Sequence, residues 1–266
     1  MVHQRKLQTR GLFPVALLLL LSCCAGHVPP SAPPLDRQGV EGILRAIGEE
    51  QALVHTVISS GALTLHSKGS SSDATALIVA SRDRSRIKIE ITHTWGRPLL
   101  HILVRDQDLE ILSFAEKRLY YGYVGTPGLS RVIPVPLSPE LLWSLIRAYP
   151  VLVSYHRGVS PAGNRITLLN KDGIRVQVID LYPVDGLPHR VSYCRQNTRV
   201  TFSNYKEEDK VRYAGKIQVD GPDEEVGLVL EISRMTFNRP IPEAIFTMKV
   251  PPDFTTEPLD RVQTGY

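Results

Sequence analysis

Three thiols (Cys23, Cys24 and Cys194), eight histidines and the acidic run at 220–225 are the groups in this sequence with the chemistry to attack a carbonyl or hold a metal. Their spacing serves neither task. No two histidines stand in the H-x-x-x-H arrangement that puts two imidazoles on one helical face for zinc. His93 falls in a loop, and His55, His66 and His101 fall in or beside strands as single polar side chains. The run "DGPDEE" lacks the alternating ligands and closing glutamate of a calcium loop, and as a turn between two strands it needs no ion. G-x-S-x-G, the Walker phosphate loop and G-x-G-x-x-G do not occur. With no nucleophile that can be paired with a base, the sequence reads as non-enzymatic, with no cofactor and no metal.

The chemistry that remains is at Cys23. A basic head (Arg5, Lys6, Arg10) precedes an apolar segment from Leu12 to Leu21, the layout of a secretory signal and too short for a membrane-crossing helix of about 20 residues. Leu20-Leu21-Ser22-Cys23 resembles the bacterial lipobox, in which the cysteine is thioether-linked to diacylglycerol and becomes the first residue of the mature chain. Burial of acyl chains contributes about 0.8 kcal/mol per methylene, and two or three chains hold a protein on a membrane where one does not. The expected organisation is therefore a lipoprotein signal peptide over 1–22 and a lipidated, proline-rich tether over 23–38. Loss of residues 1–22 removes three of the 31 basic residues, leaving 28 against 27 acids. A net charge near zero, with no Lys/Arg stripe, speaks against a nucleic-acid partner. Cys194 sits in a strand-like run and is expected to be buried and unpaired.

The elements that follow are mostly strands. A helix is expected over 40–53, where Ile43, Leu44, Ile47 and Leu53 fall near helical spacing. Beyond it the pattern has period two: "IKIEI" at 87–91 and "VGLVLEIS" at 226–233 alternate apolar with polar residues. Further runs lie at 56–67, 74–82, 99–105, 109–114, 118–122, 152–157, 165–170, 174–181, 189–195, 198–204 and 211–219. Tight turns are expected at 106–108 and at 171–173, where Gly173 supplies a positive φ. One helix interrupts the strands: Ser138 as N-cap, Pro139 in the first turn, Glu140 near the dipole's positive end, then Leu141, Leu142, Leu145 and Ile146. The fold class is mainly β: a strongly curved, incomplete antiparallel barrel of about eleven strands with two or three covering helices, occupying 39–256, followed by a C-terminal tail over 257–266. Curled that far, a sheet leaves a hollow unless a helix plugs its mouth.

The order of parts resembles the bacterial Lol lipoprotein-sorting family, the periplasmic carrier LolA and the outer-membrane acceptor LolB. The resemblance rests on the leading helix, on "RIKIEI" with "THTWGRP" and "LLHILVRDQ" after it, on "VIPVPLSPELLWSLIRAYP", and on "IPEAIFTMKVPPDF" near the end. It implies a curved half-barrel closest to the acceptor, whose apolar hollow receives acyl chains of lipids or lipoproteins, with a LolA-like carrier as a partner and monomeric behaviour. The acceptor's loop between its third and fourth strands carries an exposed apolar residue used in membrane transfer; Trp95 stands in the matching loop, either exposed or folded back on the rim. No arginine sits in the carrier's latch motif. Cys24, and not aspartate, follows Cys23, which implies the outer membrane, facing the periplasm.

The lining expected for the hollow is Ile89, Ile91, Leu100, Ile102, Val176, Leu228 and Leu230 on strands, with Leu142 and Ile146 on the covering helix. Glycine-rich 122–134 is expected to form its lip. A second reading keeps the fold but makes the chain a sensor or assembly module that binds a protein segment along a sheet edge. A roomy hollow supports the first reading, and a filled centre with an unprotected edge strand supports the second.

Overall fold

The computed structural model describes residues 33–67, 69–83, 85–124, 138–221 and 226–259. The expected signal peptide, Cys23, most of the tether, most of the 122–134 lip and the end of the C-terminal tail lie outside them.

Helix α1 (Arg37–Ala52) begins where the Asp36 carboxylate accepts the Gly39 N–H at 2.8 Å. Val40, Leu44 and Ile47, one turn apart, form its buried face. Six strands follow: β1 (Thr56–Ser67), β2 (Ser70–Ser81), β3 (Arg86–His93), β4 (Pro98–Arg105), β5 (Asp108–Ser113) and β6 (Arg118–Tyr123). After α2 (Pro139–Arg147) come β7 (Arg157–Ala162), β8 (Arg165–Leu169), β9 (Arg175–Leu181), β10 (Pro188–Tyr193), β11 (Thr198–Glu208), β12 (Val211–Asp220), β13 (Val226–Phe237) and β14 (Thr255–Pro258). They make one sheet in the order β14-β6-β5-β4-β3-β2-β1-β13-β12-β11-β10-β9-β8-β7.

Among the described residues the sheet is open, curved and fourteen-stranded, which corrects the expected eleven. All neighbours are antiparallel except β14, which runs parallel to β6. Opposite β1, strand β13 carries a one-residue bulge at Ser233, since Ser60 faces Arg234 while Gly61 faces Ile232. Gly61 is required there, because a Cβ would lie 2.3 Å from the Glu231 carbonyl oxygen. The main core lies on the concave side under α1 and α2. A second, smaller core forms where Ile241 and Phe246, from a 3-10 turn at Glu243–Phe246 and the segment before it, pack on Leu103.

Several boundaries differ from expectation. The strand expected at 152–157 is displaced to β7, because the Val151 and Val153 N–H groups are taken by Ser144 Oγ and Gln177 Oε1 and by no neighbouring strand. The folded unit starts before residue 39, with the Leu35 N–H bonded to Ser160 Oγ, and runs past 256 to the buried Leu259. Cys194 is exposed and free: it opens the turn between β10 and β11, where its carbonyl accepts the Asn197 N–H. The expected glycine turn holds, with Gly173 at φ +78°.

Candidate functional site: an aliphatic hollow under helix α2

Helix α2 is built as its sequence dictates. Ser138 Oγ accepts the Leu141 N–H at 3.2 Å, proline occupies the first turn, and Ala148 ends the helix in the left-handed region. Leu142, Leu145 and Ile146 share the face turned to the sheet and roof a hollow. Its floor comes from five adjacent strands: Leu63 and Leu65 of β1, Ala76 and Ile78 of β2, Ile89 and Ile91 of β3, Leu100 and Ile102 of β4, and Leu228 and Leu230 of β13. Register makes the floor continuous. Ile78, Ile89 and Ile102 lie directly opposite one another, as do Ala76, Ile91 and Leu100, and Leu63 pairs with Leu230.

Of the nine residues expected to line the hollow, eight do. Val176 does not: β9 stands four strands beyond β13, and Val176 is the extra residue of a bulge, since Leu168 faces Gln177 while Leu169 faces Arg175. Leu63, Leu65, Ala76, Ile78 and Leu145 were missed. The alternation in 56–67 and 74–82, and the one-turn step from Leu142 to Leu145, carried the signal for them.

Every lining side chain is aliphatic, so the hollow can hold hydrocarbon but has no group with which to orient a polar head. Its volume is about 100 Å³, well below the ~300–1,000 Å³ of ordinary ligand pockets.

Polar contacts fix the far side of that helix. Ser144 Oγ and Tyr193 OH are hydrogen-bonded in the core, and Ser144 Oγ also accepts the Val151 N–H at 2.8 Å. Burial pushes the Tyr193 phenol up to about 12, against the Ser144 and Val151 hydrogen bonds. Arg147, the last residue of α2, is wholly buried. It donates to the carbonyls of Glu50 at the end of α1 and of Arg212 on β12, and lies 4.5 Å above the Tyr149 ring. Burial lowers its pKa to about 10, opposed by Glu50.

Trp95 is at the tip of the β3–β4 hairpin, closed by a His93 N–H to Arg97 carbonyl bond of 2.8 Å. It is 90% exposed, and its ring lies edge-to-face with that of His93, centroids 4.9 Å apart. Of the two placements open from sequence, the structure has the exposed one. Among the described residues no group of three His, Cys, Asp or Glu could hold a metal, and no helix is long and apolar enough to cross a membrane.

The chain shares its architecture with solved structures of low identity. A DUF1329 family protein from Desulfovibrio piger ATCC 29098 matches 79% of this chain and 97% of its own at 14% identity, with a TM-score of 0.54. A domain named for outer-membrane lipoprotein sorting, from Vibrio parahaemolyticus, matches with the same coverage at 15% identity and a TM-score of 0.50. The fold is that of these two structures. A LolA superfamily protein from Nitrosomonas europaea aligns over 79% of this chain and 97% of its own at 12% identity, with a TM-score of 0.48. No protein-family model matches the chain, and no curated protein does.

Proposed function

We propose that this protein is a lipoprotein, anchored through Cys23 to the outer membrane and facing the periplasm, whose hollow accepts acyl chains. In this reading it takes part in the acceptance and insertion of lipoproteins or lipids. A LolA-like carrier is its donor, and Trp95, with its amphipathic ring at a bilayer interface, helps transfer. The observation that carries the reading is the uniformly aliphatic lining contributed by five strands and α2. Burial at about 25 cal/mol per Å² rewards an unbranched hydrocarbon there without any charged partner.

Titration with a fluorescent long-chain fatty acid tests it. Saturable uptake by the wild-type chain and its loss in Leu142→Glu, with far-UV circular dichroism unchanged, is the expected result; equal uptake by both would remove the hollow from the account. The small volume of the hollow favours a second reading, a module that binds a protein segment on this scaffold. Absence of uptake at any fatty-acid concentration would leave that reading in its place.

A further inference from the structure

Two more apolar side chains stand out in water at turns: Ile174, 62% exposed between β8 and β9, and Val184, 98% exposed between β9 and β10. Exposure alone does not tell them apart. Register does, because it fixes the end of the sheet at which each turn lies. His93, the last residue of β3, faces Ala74 of β2, and Ser70 of β2 faces Ser67, the last residue of β1. Ser67 faces Val226, Gly227 faces Asp220, and Asp220 faces Arg199. Tyr193, the last residue of β10, faces Thr198 on one side and Gln177 on the other, and Arg175 of β9 faces Leu169 of β8. The β3–β4 hairpin with Trp95 and the β8–β9 turn with Ile174 therefore lie at the same end of the sheet. The β9–β10 turn, which leads from Leu181 to Pro188, lies at the other end, and Val184 with it.

The hollow sits towards the first end. Leu65, Ile91, Leu100 and Leu228 of its floor each lie two residues from the strand terminus there, whereas Arg147 with Glu50 and Arg212 holds the other end of α2. Both apolar tips are hydrogen-bonded turns. Asn170 Oδ1 accepts the N–H groups of Asp172 at 3.0 Å and Ile174 at 2.9 Å, the Asn170 N–H donates to the Ile174 carbonyl, and Gly173 takes the positive φ. The Trp95 tip is closed in addition by the Gly96 N–H to His93 carbonyl bond of 2.7 Å. From β3 through β2, β1, β13, β12, β11 and β10 to β9 is seven steps, about 34 Å along the sheet at roughly 4.8 Å each. Two single apolar groups so far apart do not form the clustered anchor of a protein interface, and one small ligand cannot touch both. A lipid surface is broad enough to receive both, and each gains by leaving water for it.

We propose that the end of the sheet nearest the hollow rests on a lipid surface, with Ile174 as a second point of insertion besides Trp95. This rests on the role given to Trp95 above and adds to it a residue and an orientation of the domain. Apolar burial drives the contact, so an uncharged lipid such as phosphatidylcholine is sufficient.

The test uses the full-length chain in phosphatidylcholine vesicles, with or without bromine on the acyl chains, which quenches an indole that enters them. The sequence has two tryptophans, and Trp143 is buried in the core, so Trp95→Phe leaves a constant background. In that background Ile174→Trp should add a blue-shifted emission that brominated lipid quenches, and Val184→Trp an emission that it does not. In the otherwise wild-type chain, Ile174→Asp should lower the inserted-to-free ratio read from Trp95 quenching about tenfold, as loss of one buried aliphatic side chain implies. Val184→Asp should leave that ratio unchanged. Equal quenching of the Ile174→Trp and Val184→Trp variants overturns the proposal, because the sheet then has no preferred end. An Ile174→Trp emission that brominated lipid leaves intact overturns it equally. Quenching of the Ile174→Trp variant in a chain that takes up no fatty acid would remove the acyl-chain reading and leave the docking in place. Fatty-acid uptake without that quenching would do the reverse.

Discussion

Arg147 shows how much of this molecule turns on single side chains. A guanidinium taken wholly out of water is retained because two helix-end and strand carbonyls and an aromatic face receive it. Arg147→Ala should lower the unfolding free energy by about 3 kcal/mol, measured in urea, because those carbonyls and Glu50 lose their donor; Arg147→Met should lose less, since an apolar chain refills the space. Tyr193 makes a pH prediction. Its phenol stays neutral to about 12 in the fold but ionises near 10 in the unfolded chain. Between those values the unfolded state releases its proton first, so stability falls as pH rises from about 10 towards 12. Tyr193→Phe removes that dependence, and the gap between the urea midpoints of wild type and variant should narrow from pH 9 to pH 11. Residue roles were legible in sequence wherever alternation held. Eight of the expected lining residues follow from period two or from one helical turn, whereas Val176 was lost to a bulge and Cys194 to a turn, neither of which leaves a periodic trace.

At the scale of elements, α1 rests on the strand β7 at the end of the sheet by close approach at Gly158, where a Cβ would come within 2.7 Å of Leu44 Cδ1 and 2.9 Å of Val40 Cγ1. Gly158→Val should therefore push the helix away and cost about 1–3 kcal/mol. A lower melting temperature, with faster hydrogen exchange confined to α1, is the expected observation. Helix α2 was readable because its start signals are local: cap, proline and acid occupy three successive positions. Most strands were readable for the same reason. The segment before β7 was not, since its backbone is satisfied by the side chains of Ser144 and Gln177, distant in sequence or on another element. β14 is four residues long and pairs parallel with β6, too short for a period to show.

At the scale of the whole molecule, one open sheet carries an aliphatic hollow on its concave side, towards the end that bears Trp95 and Ile174. Curvature and a covering helix follow from strand number and from α2, and both were legible. The volume of the hollow was not, because side-chain packing under a helix depends on how closely the helix sits. With about 100 Å³ inside, the proposed acceptance of an acyl chain calls for displacement of α2, and fatty acid should raise hydrogen exchange in that helix while the central strands stay protected. The most direct measurement is photo-crosslinking with a fatty acid bearing a diazirine near its methyl end, followed by mapping of the adducts. The account predicts adducts on β3, β4 and α2, at or beside Ile89, Leu100 and Leu142. Adducts confined to the outer face, or a chain that takes up no fatty acid at all, would contradict it.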